Sequence, residues 1–178
     1  EGVPRLDVCK PDENGSPFFF WPFGARSINY RWEQAGEGVY KYLYLQANPF
    51  AWLAGFIGVV FAAGLLIFPL LFPVKEPVRH RLMLGTFLLM YAGYMGAIST
   101  LDRVMYLYHY FLPLLFSFVL FALVADNIRS FAGWKLGEQR RVLTLTLFAV
   151  TVFAAFQVYR PLSYYEPITD KRVESLAI

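Results

Sequence analysis

The chain has 178 residues, of which 57% are hydrophobic and 16% are charged, whereas a soluble globular domain carries about 25% charged residues. Its mean hydropathy of +0.44 therefore favours a membrane protein. The net charge of +3 is small and scattered, which argues against nucleic acid as a partner, and the single cysteine, Cys9, excludes a disulfide scaffold.

Residues 1–48 mix proline, glycine, charges and aromatic side chains, and they contain no run long enough to cross a bilayer. The aromatic stretch Phe18–Phe23 is apolar but short, so we expect it to pack on protein or lie in the interface. The chain begins at Glu1 and shows no signal peptide, which predicts a processed product or the C-terminal piece of a larger protein.

Four apolar runs follow, at residues 49–72, 82–101, 104–125 and 142–159. Each is long enough to span a bilayer, which takes roughly 20 residues, although the last lies at the short end of the range. Asn48-Pro49 offers a cap and a first-turn proline, and so predicts the start of the first helix. The fold class predicted is an all-α membrane protein with four transmembrane helices and an extracytoplasmic N-terminal segment.

Basic residues in the connecting loops predict the orientation, because short loops rich in Lys and Arg stay in the cytoplasm. The loop between the second and third spans has one basic residue, Arg103. The other two loops are richer in basic residues, which are Lys75, Arg79, Arg81, Arg129, Lys135, Arg140 and Arg141. Both termini, including the tail at 161–178, are therefore expected outside, although basic residues in that tail weaken the prediction.

All twelve tyrosines fall towards one side of this topology, the predicted outer side. Interfacial belts of aromatic residues normally occupy both faces of a membrane. The asymmetry indicates either a tyrosine-lined surface or cleft on the outside, or an ordinary belt that is uneven by chance.

The start of the third span carries a cluster of ionisable and aromatic side chains. Helical spacing would place Tyr106 and His109 on one face, and Arg103 and Tyr110 on an adjacent one. Proline at 113 would leave the carbonyl of His109 free. These groups predict either a site for a phosphate head group or a sugar, or an interfacial anchor in which Arg103 reaches lipid phosphates.

No cluster of residues has the spacing of a metal site, since His80 and His109 are the only histidines and lie far apart. We therefore expect no metal and no cofactor within this chain. A Gly-rich phosphate loop and a nucleophile elbow are likewise absent from the sequence. Small residues recur every four positions at Ala54, Gly58 and Ala62, a pattern typical of close helix packing.

Three stretches carry a resemblance to a known family: Ser16-Pro17-Phe18-Phe19-Phe20-Trp21-Pro22-Phe23, Leu45-Gln46-Ala47-Asn48-Pro49-Phe50-Ala51-Trp52, and Arg103-Val104-Met105-Tyr106-Leu107-Tyr108-His109-Tyr110-Phe111-Leu112-Pro113. Their order and spacing resemble the C-terminal four-helix region of the protein O-mannosyltransferases, bacterial branch. The similarity covers roughly residues 16–160. This chain departs from the family at two places. The family usually has glycine where this chain has Ala47, and it often has two tryptophans where this chain has only Trp52.

The resemblance implies part of a membrane glycosyltransferase of the GT-C type, which moves mannose or a related sugar from a polyprenyl-phosphate carrier to Ser or Thr of an acceptor protein. It implies a bacterial inner membrane. The family's catalytic carboxylates lie N-terminal to this region, so this chain is expected to need an attached or separate catalytic part. Arg103, Tyr106, His109 and Tyr110 are then the candidates for holding the lipid-phosphate-sugar. The alternative is a non-catalytic four-helix subunit that stabilises a larger complex.

Overall fold

A computed structural model of the chain describes residues 7, 15–73, 77–128, 130–131, 134–135 and 137–176. Its helices are a 3₁₀ helix at Phe18–Phe23, α1 at Pro49–Leu71, α2 at Arg81–Ser99, a second 3₁₀ helix at Leu107–Tyr110, α3 at Phe111–Asn127, α4 at Glu138–Ser163 and α5 at Asp170–Ser175. The prediction of four membrane helices is confirmed, because four helices in the described residues are long and apolar enough to cross a membrane.

The start of α1 follows the predicted signal. The side-chain oxygen of Asn48 accepts hydrogen bonds from the backbone N–H groups of Phe50 and Ala51, each at 3.2 Å, and Pro49 occupies the first turn. The same side chain also reaches another helix, since its Nδ2 donates to the carbonyl of Val152 in α4 at 2.9 Å. Asn48 therefore starts one membrane helix and attaches a second.

The third span begins later than predicted. Tyr106 is extended, with φ −129° and ψ 155°, so residues 104–106 are not helical, and a 3₁₀ turn precedes α3. Pro113 falls in the first turn of α3, where a missing N–H leaves no helical hydrogen bond unmade. The helix type therefore changes before the proline, and Pro113 interrupts no hydrogen bond inside α3.

The helix pair α1 and α3 forms the centre of the bundle, and α2 packs against both. Gly58 allows this approach, because a Cβ there would lie 2.6 Å from the backbone N of Phe121 and 2.7 Å from the carbonyl O of Ser117. The predicted stripe is buried throughout, at Ala54, Gly58 and Ala62. α4 has a smaller contact with α1 and packs at its C-terminal end against the sheet.

A three-stranded antiparallel sheet accompanies the helices and was not predicted. It has the order β1-β2-β5, with β1 at Ile28–Gly36, β2 at Val39–Leu45 and β5 at Pro167–Thr169. Two short strands, β3 at Ser130–Phe131 and β4 at Trp134–Lys135, form a separate hairpin. The main sheet joins a segment that precedes α1 to a segment that follows α4, so both lie at the same end of the bundle.

The bundle therefore has two different ends. The sheet end holds the main sheet, both 3₁₀ helices and residues 101–106. The arginine end holds residues 77–80, the C-terminus of α3 and the N-terminus of α4, which meet through the contacts of Arg79 and Arg141 with Asp126. This division agrees with the expected separation of tyrosines from the basic loops.

Candidate functional site

The sheet end is organised around Trp21, which is completely buried. Its indole N–H donates to the hydroxyl of Ser16 at 2.8 Å, and its backbone carbonyl accepts from the indole N–H of Trp52 at 3.0 Å. The backbone N–H of Ser16 in turn donates to the carbonyl of Met105 at 2.9 Å. These bonds fasten the N-terminal segment to α1 and to the residues before α3, so three distant stretches of sequence meet at one place.

His109 lies on this foundation. Its imidazole stacks on the Tyr108 ring at a centroid distance of 4.3 Å and faces the Trp21 ring at 6.2 Å. Its Nδ1 lies 3.0 Å from the carbonyl oxygen of Tyr106. The backbone N–H of Tyr106 also approaches Nδ1, at 3.3 Å, so Nδ1 accepts from that N–H in one tautomer and donates to the carbonyl in the other. The turn thus fixes the ring plane of a half-buried histidine and ties its Nδ1 to the backbone of Tyr106.

Arg103 and Tyr106 belong to the extended segment that leads into this turn. Arg103 is exposed, and it makes no hydrogen bond or ion pair within the described part of the chain. Tyr106 is half-buried and stacks on Tyr108 at 5.5 Å. The segment is held at Met105 by Ser16, so the guanidinium of Arg103 is carried by an anchored backbone while its own donors stay available.

Tyr110 is placed differently from the other three candidates. Its side chain is fully buried, and its hydroxyl lies 3.1 Å from the hydroxyl of Tyr91 in α2. This corrects the expectation that the Tyr110 ring lines a cleft, because 3₁₀ geometry turns it inward while Tyr108 turns outward. Tyr110 supports the turn that carries His109 and presents no surface of its own.

The sheet adds an aromatic row beside this region. The rings of Trp32, Tyr40, Tyr42 and Tyr44 follow one another at centroid distances of 6.2, 6.1 and 5.6 Å. Desolvation raises the pKa of Tyr42 and of Tyr44, so both phenols are neutral at physiological pH. Alternation of tyrosines from residue 40 to residue 44 was the sequence signal for this strand.

The opposite face of the sheet carries charge. Tyr165 lies under Arg31 and Lys41, whose cationic groups are 5.2 and 5.7 Å from its ring centroid. The Tyr165 hydroxyl, with Lys41 and Arg31, holds the pKa of Glu33 below its usual range. Glu33 also pairs with Arg31 at 3.3 Å and with Lys41 at 3.6 Å. These contacts attach the sheet to the residues that follow α4.

Among the residues that the structure describes, no three His, Cys, Asp or Glu side chains come together as a metal site would require. Cys9 lies outside the described residues. Two contributions to the site were missed from the sequence: the anchor made by Ser16 and Trp21, and the bond from Asn48 to α4. The motif stretches around these residues were the only sequence signal of their importance.

Fold and site together define a multi-pass membrane region of four helices, with a surface at the sheet end that carries aromatic side chains and Arg103. The sequence model of the family described as the C-terminal four TMM region of protein-O-mannosyltransferase matches residues 6–178. The chain belongs to this family, and the resemblance drawn from its motifs is confirmed. No curated protein matches the chain significantly.

A solved structure shows the same fold. It is the S. cerevisiae protein O-mannosyltransferase Pmt1-Pmt2 complex bound to the sugar donor, and the match has a TM-score of 0.61 at 22% sequence identity. The match covers 93% of this chain and 23% of the yeast chain. This chain therefore corresponds to about a quarter of that protein's length.

Proposed function

We propose that this chain is the C-terminal membrane portion of an enzyme that transfers mannose, or a related sugar, from a polyprenyl-phosphate carrier to Ser or Thr of acceptor proteins. The observation that carries the proposal is the family match over residues 6–178, which includes every element at the sheet end. The yeast structure, solved with its sugar donor, supports a donor site in an enzyme with this fold. The catalytic carboxylates belong to the N-terminal part of the enzyme.

In this proposal the chain supplies contacts to the donor. Arg103 binds the phosphate, because a guanidinium is planar, permanently charged and matched to phosphate oxygens. His109, whose Nδ1 is tied to the backbone of Tyr106, hydrogen-bonds the sugar through Nε2, and Tyr106 packs beside it. Tyr110 positions the turn from within the core. Anchoring by Ser16 and Trp21 keeps these groups in place before the donor arrives.

The test is donor saturation in the full-length enzyme. One charge-assisted contact contributes about 1.5–3 kcal/mol, so Arg103→Ala should raise the apparent KM for the polyprenyl-phosphate donor by about ten- to a hundredfold. Arg103→Lys should restore part of this loss, because an ammonium keeps the charge without the planar fork. Arg172→Ala is the matched control, since Arg172 is an exposed arginine of α5 near the same end.

An unchanged KM in Arg103→Ala would make Arg103 an interfacial anchor and remove it from the donor site. The enzyme itself is tested separately, by assaying sugar transfer with the wild-type full-length protein. Absence of transfer would favour the other candidate, a non-catalytic subunit that stabilises a larger membrane complex.

We further propose that the sheet end faces the extracytoplasmic side of a bacterial inner membrane, with both termini outside. Support comes from the concentration of arginines at the opposite end. In a Cys9→Ser background, an impermeant maleimide should label Glu37→Cys at the β1–β2 turn in intact cells. It should label Glu138→Cys at the start of α4 only after permeabilisation, and the reverse pattern would invert the orientation.

A further inference from the structure

An open apolar groove of about 460 Å³ lies on the half of α1 nearer the arginine end. Val60, Phe61, Gly64 and Phe68 are among its lining residues, and Val78 lines it from the loop before α2. A Cβ at Gly64 would meet no atom within 4 Å in the described part of the chain. The groove is therefore a long apolar surface with space above its glycine.

Positive charge begins where the groove ends. Val78 is followed directly by Arg79, His80 and Arg81. Arg79 pairs with Asp126 at 2.8 Å, and Arg141 pairs with the same carboxylate at 3.2 Å. One carboxylate thus balances two guanidinium groups, with the His80 ring 3.5 Å away as a third partner when protonated.

Among the residues that the structure describes, hydrogen-bond donors also exceed acceptors at this place. A guanidinium has five N–H groups, whereas Arg79 uses Nη1 on Asp126 and keeps 47% of its side chain exposed. Arg81 is exposed and has no hydrogen bond or ion pair in the part of the chain that is described. The region has both the charge and the unfilled donors that an anionic oxygen group requires.

Exposed apolar side chains indicate the depth in the membrane at which the anionic oxygen group would lie. Leu82, next to Arg81, is 84% exposed, and Leu71 at the end of α1 is 68% exposed. Exposed leucines beside exposed arginines mark the boundary between acyl chains and head groups in a bilayer. The groove extends from this boundary towards the centre of the membrane.

We propose that the groove and the adjoining arginines form a binding site for one anionic phospholipid. An acyl chain lies in the groove over Gly64, and the phosphate is bound by Arg79 and Arg81, whose planar donors suit phosphate oxygens. Charge complementarity selects an anionic head group over a zwitterionic one, since each arginine near a membrane surface favours anionic lipid. The site lies at the end opposite Arg103 and does not depend on sugar transfer.

The experiment is native mass spectrometry of the full-length protein, titrated with phosphatidylglycerol or with phosphatidylcholine of the same acyl chains. We expect one phosphatidylglycerol to be retained in preference to phosphatidylcholine. Arg81→Gln should lower its apparent affinity about fivefold, the effect of one surface arginine. Gly64→Leu should abolish retention by filling the groove without changing any charge. Arg172→Gln, which removes an exposed arginine of α5 at the other end, should leave retention unchanged.

Equal retention of the two lipids would overturn the proposal. Retention that survives Gly64→Leu would also overturn it, because the acyl chain would then lie elsewhere. The proposal would also fail if the wild type retained no phosphatidylglycerol and Gly64→Leu no longer inserted or assembled. That outcome would mean that another helix of the full-length protein occupies the groove.

Discussion

Replacing Gly58 by alanine should separate the two central helices. The added Cβ would lie 2.6 Å from the N and 2.8 Å from the Cα of Phe121, and 2.7 Å from the carbonyl oxygen of Ser117. All three atoms belong to the backbone of α3, so no side chain can rotate away and the helix itself must move. Overpacking of this kind costs about 1–3 kcal/mol.

Gly64→Ala is the matched control on the same helix, because the new methyl group meets no atom within 4 Å of the described structure. Alanine is a better helix former than glycine by about 1 kcal/mol, and both variants gain this term. The two variants should therefore differ by the overpacking cost alone. For 178 residues that unfold as one unit the difference corresponds to roughly 2–12 °C in Tm, and the shift is smaller in a longer chain, whose entropy of unfolding is larger.

Thermal unfolding of the full-length protein in nanodiscs, followed by circular dichroism, measures the difference. Gly58→Ala should melt below Gly64→Ala, and Gly58→Leu should melt lower still or fail to assemble. The Tm of Gly55→Ala should fall between those of Gly58→Ala and Gly64→Ala, because the close neighbour of its new methyl group is the movable hydroxyl of Ser117. Equal melting of Gly58→Ala and Gly64→Ala would refute the close approach of α1 and α3.

Three further outcomes follow from contacts at the sheet end. Asn48→Asp should keep the cap of α1 but lose the bond to Val152, so the protease sensitivity near α4 should rise. Asn48→Ala loses the cap as well, and unfolding measurements should show a further loss of about 1 kcal/mol in stability. Tyr110→Phe should destabilise the protein by about 1–3 kcal/mol in thermal unfolding, because the buried hydroxyl of Tyr91 loses its partner, whereas the double variant with Tyr91→Phe should be closer to wild type. Because folding lowers the pKa of Glu33, its contribution to the stability of the sheet is present above pH 4.5 and is lost as the pH falls through the pKa of the folded state. Amide hydrogen exchange of β1 and β2 should therefore rise in acid, and Glu33→Gln should remove this acid sensitivity.

The helices were predictable because each span is a long uncharged run, and the start of α1 because Asn48 and Pro49 form a local signal. The 3₁₀ turn before α3 was not predictable from periodicity. A four-residue turn has no repeat of its own, and its inward Tyr110 depends on Tyr91, which lies in another helix. Membership of the family was recognisable from three short motifs whose spacing survives in this chain.

The sheet was missed for a different reason. The alternation from Tyr40 to Tyr44 and the glycines flanking Glu37 were visible, but the sequence before α1 was treated as a loop. The partner strand β5 is three residues long and lies beyond α4, so no local pattern identifies it. Likewise, the contact of Ser16 with Met105 joins residues far apart in sequence, and composition carries no information about such a pair.

The pairing of Val39 with Thr169 sets an order of events during synthesis of the protein. β2 leaves the ribosome before α1, while β5 follows α4, so the third strand becomes available only after all four helices have been made. Until then the outer edge of β2 presents unpaired backbone groups. Closure of the sheet therefore requires that all four membrane-length helices have been made, and a chain stalled before α4 would keep this strand edge unpaired.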